Sequence, residues 1–191
     1  MKKLLALALV AVIATGALAQ DDPNMMGMFF DAAAFNDDST NMPAAPSTPF
    51  NAYVVLLNST VETIGAYEVG ITVEGSLDPF VLSLTGPNGF TNFGANLNHL
   101  AGYQTPVVAG DAVVLSTMLM MVLTPETYTV AFGASDPSSV DGDHPAVANG
   151  DNPDELIACD TYSFPFVATI NGDGVVATEA HSLSSVKALF N

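Results

Sequence analysis

Ala66-Tyr67-Glu68-Val69-Gly70-Ile71-Thr72-Val73-Glu74 alternates without a break. Successive side chains of an extended chain point to opposite faces. Tyr67, Val69, Ile71 and Val73 therefore share one side, and Glu68, Gly70, Thr72 and Glu74 share the other. A strand of that kind lies on a core and turns its back to water.

The neighbouring stretches read the same way. Pro79 to Thr85 repeats the pattern through Phe80, Leu82 and Leu84, and Gly86-Pro87-Asn88-Gly89 ends it as a turn. Thr127 to Phe132 places Tyr128, Val130 and Phe132 inward, and Ser163 to Ile170 groups Phe164, Phe166, Ala168 and Ile170. Ala52 to Leu57, bounded by Pro49 and Asn58, is almost wholly apolar, as a strand buried on both faces should be. Ala112 to Leu123 is broken only by Ser116 and Thr117, and it is too short for a membrane helix. On it Met118 and Met120 share a face with Val114, Ser116 and Val122, while Leu119 and Met121 take the other. Both faces then need cover, from the opposite sheet and from a leader, a terminal helix or another subunit. Asn98 to Val108 supplies a further strand or ordered loop. Helical spacing occurs only at Leu183 to Phe190, where Leu183, Val186, Leu189 and Phe190 form a stripe that Ser182 can cap. The expectation is all-β: an antiparallel β-sandwich, immunoglobulin-like or jelly-roll-like, with about seven to nine strands and a short C-terminal helix.

The ends are organised differently. Met1-Lys2-Lys3, the apolar Leu4 to Thr15 and Ala17-Leu18-Ala19 have the layout of a secretory signal peptide cleaved after Ala19. Residues 1–19 are thus read as a signal peptide and 20–49 as an irregular leader rich in Pro, Asn and Asp. The sandwich occupies 50–174, and 175–191 forms a C-terminal segment with the short helix. In the leader, Pro43 to Pro49 holds three prolines, which exclude a helix interior or a central strand. Met28-Phe29-Phe30 reads equally as an early edge strand or as loop. The expected location is secreted or periplasmic, with no integral membrane segment in the mature chain.

Composition then excludes partners. Cleavage leaves twenty carboxylates against one basic side chain, Lys187, a formal charge of about −19. Nucleic acid is excluded, since binding it requires basic side chains that displace counterions. Anionic lipid is disfavoured for the same reason. Divalent cations, glycans and other proteins stay open. The single cysteine, Cys159, forms no intrachain disulfide and reads as a small buried hydrophobe.

Val176 to Phe190, ending in Leu183-Ser184-Ser185-Val186-Lys187-Ala188-Leu189-Phe190, resembles the closing segment of uncharacterised secreted bacterial β-sandwich proteins, a short apolar stripe with a Lys near its end. Gly27 to Asp31 and Tyr53 to Asn58 look similar to stretches of the same proteins. The chain departs from them in carrying Leu183 where they usually have Trp, and in lacking their cysteine pairs. The resemblance implies fold and export and adds nothing on activity.

Candidate chemistry is sparse. The loop from Asp136 to Asp160 gathers Asp136, Asp141, Asp143, Asp151 and Asp154 among glycines and asparagines, with no Lys or Arg. Carboxylates crowded together repel unless protons or cations neutralise them, and Ca²⁺ with six to eight oxygen ligands suits that task. The other reading is a solvated loop that keeps the protein soluble. Asn171-Gly172-Asp173-Gly174 lacks the first and last carboxylates of a Ca²⁺-binding helix–loop–helix motif and reads as a turn. His99, His144 and His181 have no zinc-ligand spacing, and no Gly-x-Ser-x-Gly elbow is present. With no Arg or Trp, an enzyme site is disfavoured. The expected function is an exported, non-catalytic binding or structural module of the cell exterior, stabilised by a divalent cation if the acidic loop holds one. It would partner itself, another surface protein or a glycan, and its leader could lend a strand to a neighbour. The alternative is a secreted carbohydrate hydrolase using paired carboxylates on a sandwich scaffold.

Overall fold

Over residues 22–95 and 97–175, which the computed structural model describes, the chain forms thirteen strands and no α-helix. In chain order they are β1 (Met25–Phe29), β2 (Asn41–Met42), β3 (Phe50–Leu57), β4 (Thr63–Glu74), β5 (Phe80–Thr85), β6 (Thr91–Asn92) and β7 (Asn98–Val108). They continue with β8 (Ala112–Met121), β9 (Tyr128–Gly133), β10 (Ala146–Asn149), β11 (Leu156–Ala158), β12 (Asp160–Thr161) and β13 (Ala168–Ile170).

Two sheets result. One runs β12-β1-β3-β8-β5. In the other, long β4 is the axis. One of its edges pairs with β7, which carries β6, and the opposite edge is shared by β10 along Ile64–Glu68 and β9 along Gly70–Glu74. β11 extends from β10, and β13 and β2 extend from β9. Nearly all pairs are antiparallel, as short connections require; β1 with β12 and β13 with β2 are parallel. The fold is an all-β sandwich.

The core lies where the alternating faces meet. Met26, Met28, Val54 and Leu56 of one sheet pack against Ile64, Tyr67, Val69, Tyr128 and Ile170 of the other. Burying each such side chain stabilises by roughly 1.5–3 kcal/mol. β3 is buried on both faces, as its apolar run requires. Val54 and Leu56 enter the main core, whereas Val55 and Leu57 join Met25, Phe29 and Tyr162 in a second cluster on the outer face of the sheet.

Several expectations are corrected. The strand count exceeds seven to nine because β2, β6, β11, β12 and β13 are two or three residues long, too short to show a period. The 20–49 segment is not irregular throughout. β1 pairs with β3 over five residues and with β12 on its other side, so Met25–Phe29 is an interior strand rather than an edge or a strand lent to a neighbour. The alternation of β5 and β8 fails at bulges, where an extra residue reverses the phase. On β8 a register shift opposite Val54 and Val55 turns Val113 and Leu115 inward with Met118 and Met120, and leaves Val114 on the outer cluster. On β5 the shift between Val81 and Ser83 turns Val81 and Leu84 toward the core and leaves Phe80 and Leu82 half exposed. Of Ser163 to Ile170 only Ala168–Ile170 is strand, and Phe164 is 80% exposed. The signal peptide and the Leu183–Phe190 helix lie outside the described residues.

Candidate functional site

The acidic loop from Asp136 to Asp160 holds the carboxylates suited to a cation. The side chain of Asp143 accepts a hydrogen bond from the Ala134 N–H at 2.9 Å, and Asp151 accepts one from the Thr63 hydroxyl at 2.8 Å. Asp136 is held by its main chain, whose N–H and carbonyl both bond the Asn98 side chain. Asp141 and Asp154 are exposed. Asp136 and Asp143 line one surface hollow beside Asn98 and Phe132; Asp143 also borders the next, with Asp22, His144, Asp160 and Phe164. Asp141, Asp151 and Asp154 border neither. Among the described residues no three His, Cys, Asp or Glu side chains are grouped as ligands of a metal ion.

Charges spread this way repel over the whole surface, and salt screens them. The melting temperature is therefore expected to rise with ionic strength, and equally in NaCl and CaCl₂ at matched ionic strength. A calorimetric rise of several degrees specific to millimolar Ca²⁺ would instead mean that the loop gathers its ligands on binding.

The remaining chemical groups are mostly sealed. The Tyr67 hydroxyl donates to Ser116 Oγ at 2.6 Å and sits 3.0 Å from His99 Nδ1, and all three residues are buried. With its single proton directed at Ser116, the Tyr67 oxygen accepts from His99 Nδ1–H. Burial pushes the Tyr67 phenol well above its ordinary value, against the opposing bond to Ser116. Tyr103, whose hydroxyl donates to the Leu115 carbonyl, is pushed up by burial and secondly by the neighbouring Tyr67. Burial, with a smaller contribution from the charge of Asp160, pushes the Cys159 thiol up to about 12. His144 is exposed, and its Nδ1 lies 3.9 Å from Asp160, too long for a hydrogen bond. His181 lies outside the described residues.

What the surface does offer is an apolar trough on the solvent face of the larger sheet, about 250 Å³ in volume. Alternation along β4 turns Ala66 and Glu68 outward opposite the core residue Tyr67. Register brings Gly102 of β7 and Ala148 of β10 level with Ala66, and Leu100 and Ala146 level with Glu68. Small residues on three adjacent strands make a floor about 10 Å wide, given a strand spacing of about 4.8 Å. Phe93, whose N–H bonds the Leu100 carbonyl, walls one side and is 79% exposed; Leu156, paired with Ala148, walls the other and is 44% exposed. Glu68 is buried at the rim, and its carboxylate holds the adjoining loop by accepting the Ser139 N–H at 2.8 Å.

No protein-family model and no curated protein sequence matches this chain. Solved structures similar to it include two cohesin complexes. One is described as the third ScaB cohesin of R. flavefaciens in complex with a group 1 dockerin; it is 14% identical, with a TM-score of 0.46, and the match covers 78% of this chain and 96% of that one. The other is a type I cohesin–dockerin complex, Coh-OlpA-Doc918, from Clostridium thermocellum, 15% identical with a TM-score of 0.49, covering 77% of this chain and 98% of that one.

The trough residues escape a reading by period. Ala66 belongs to a strand whose apolar face points the other way, and Leu156 sits in a three-residue strand. Phe93 follows the two-residue β6, isolated between Asn92 and Gly94. One signal was available: an aromatic residue outside any alternating run has no core position to fill.

Proposed function

We propose that the chain is an exported, non-catalytic binding module of the cell exterior, and that the trough between Phe93 and Leu156 is its docking face. The observation that carries this reading is a wide apolar hollow, walled by exposed side chains, on a protein whose formal charge is −17. Apolar side chains left in water on an otherwise polar surface mark an interaction site. The signal-peptide layout of Met1 to Ala19 supports export. A non-catalytic role is supported by the sealed chemistry: the Tyr67 hydroxyl bonds both Ser116 and His99 within the core, and the Cys159 thiol is buried with its ionisation suppressed.

The trough also has the width of an α-helix with its side chains. Small floor residues let a helix backbone approach, and an acidic protein favours a basic flank. The partner class is therefore an amphipathic helix with an apolar stripe and basic sides. The test uses two synthetic peptides of the same leucine and lysine composition, one with its leucines on a single helical stripe and one scrambled. In NMR titrations the striped peptide should shift the amides of Ala66, Gly102 and Ala148, and the scrambled one should not. Replacing both walls, Phe93→Ser and Leu156→Ser, should weaken binding roughly tenfold or more, since each buried apolar side chain is worth about 1.5–3 kcal/mol. Equal binding of both peptides, unchanged by the substitutions, would show plain charge attraction and defeat the proposal.

A further inference from the structure

Residues 79–110 contain no Asp, Glu, Lys or Arg, although the chain has 20 acidic residues. They form β5, β6 and β7, which together make one flank of the sandwich. β5 is the last strand of its sheet, and β7 with β6 closes the same side of the other. The turn between β5 and β6 is tied to β7 by the Asn88 side chain, which donates to the Pro106 carbonyl, and Tyr103 of β7 reaches the Leu115 carbonyl of β8. Among the described residues, half of the large exposed apolar side chains lie in this stretch: Phe80, Leu82, Phe93 and Val108.

β5 itself reads Phe80-Val81-Leu82-Ser83-Leu84-Thr85, with no charge, proline or glycine. One edge is bonded to β8, and among the described residues nothing pairs with the other. Natural edge strands are normally guarded by charges, proline or a bulge, because open N–H and C=O groups template another strand. Here the only guards are the bulge at Leu82 and the flanking Pro79 and Pro87, which limit a pairing to one short run.

We infer that β5 is a self-pairing edge: two copies of this chain join β5 to β5 antiparallel, making one continuous sheet of ten strands with Phe80 and Leu82 packed across the join. Charge selects the second copy's flank. Two chains this acidic repel each other wherever carboxylates face, and β5 to β7 is the side without them. A two-fold antiparallel join uses the same edge on both copies, so it closes at a dimer.

Sedimentation of the mature chain, Gln20 to Asn191, tests this. A monomer–dimer equilibrium is expected at roughly 100 µM, the range of a small transient interface. It should shift toward dimer as NaCl is raised and screens the repulsion. Leu82→Lys and, separately, Phe80→Lys should each weaken it at least tenfold. Both side chains are half exposed, and circular dichroism serves as the check that each variant is folded. In the unmodified protein, amide exchange of residues 80–85 should slow as concentration rises, while that of the trough strands stays constant. The Phe93→Ser, Leu156→Ser variant should dimerise normally, so this inference and the docking proposal fail separately. A monomer at every concentration and salt, or a dimer indifferent to both lysine variants, would overturn the inference, as would a dimer lost in the trough variant.

Discussion

Phe29→Ala is expected to destabilise the protein by about 3–5 kcal/mol, the usual cost of truncating a fully buried phenylalanine. Phe29 is 0% exposed and meets Phe35 and Tyr162 edge to face, with ring centroids 5.5 and 5.0 Å away. Tyr162 is anchored in turn by its hydroxyl, which donates to the Asp37 carboxylate at 2.7 Å. Deleting residues 22–49 should go further. It removes Met25, Met26, Met28 and Phe29, each worth roughly 1.5–3 kcal/mol of burial, from a domain whose whole stability is about 5–15 kcal/mol. It also strips Met25 and Phe29 from the outer face of β3, where they pack with Val55 and Leu57. The deletion protein should show no cooperative urea transition. A transition within 1 kcal/mol of the parent's, taken as roughly the error of such measurements, would mean β1 is dispensable.

Alkaline unfolding is the second large effect. Cys159, Tyr67 and Tyr103 all have folded pKa values raised by burial above their ordinary 9.0, 10.0 and 10.0. Such groups keep their protons longer when folded. The stability they carry is fully present below the unfolded pKa and is lost as pH climbs toward the folded one. Cys159 begins to act above pH 9.0, and its effect is complete near about 12. The two tyrosines join above pH 10.0. Each group removes up to about 1.4 kcal/mol per pH unit in its window. Together they approach the full stability of an ordinary domain by about pH 12. Urea unfolding at pH 8, 10 and 11 should therefore show a steepening loss. Cys159→Ala with Tyr103→Phe should flatten the part of that loss beyond the Tyr67 contribution. A pH-independent midpoint would contradict the burial of these groups.

The fold was legible wherever one face of a strand was wet. β4 and β9 alternate because water fixes one side and the core the other, and their inward residues Tyr67, Val69, Tyr128 and Val130 are all buried as the period requires. Legibility failed for three physical reasons. Bulges on β5 and β8 reverse the phase at a single residue, which composition does not reveal. Met25–Phe29 is buried on both faces, so it carries no alternation, and edge strand and loop fit its sequence equally. Strands of two or three residues are defined by what they pair with rather than by their own pattern. The candidate site was less legible than the fold. Carboxylates of one loop, such as Asp141 and Asp151, are directed to different partners or to solvent, whereas the trough assembles residues from four strands and two loop positions, Phe93 and Ser139. Its floor is made of alanine and glycine, the residues that sequence patterns weight least.

On the docking proposal, Phe93 and Leu156 stand in water for a partner's sake and do little for folding. The unfolding free energy of the Phe93→Ser, Leu156→Ser variant, measured in urea at neutral pH, tests it most directly. Surface substitutions that touch no core contact change stability by about 0.5 kcal/mol or less, and that is the predicted result. A loss of more than about 2 kcal/mol, of the size that comes from opening a core, would show that these side chains hold the sandwich together and that the trough is no docking face.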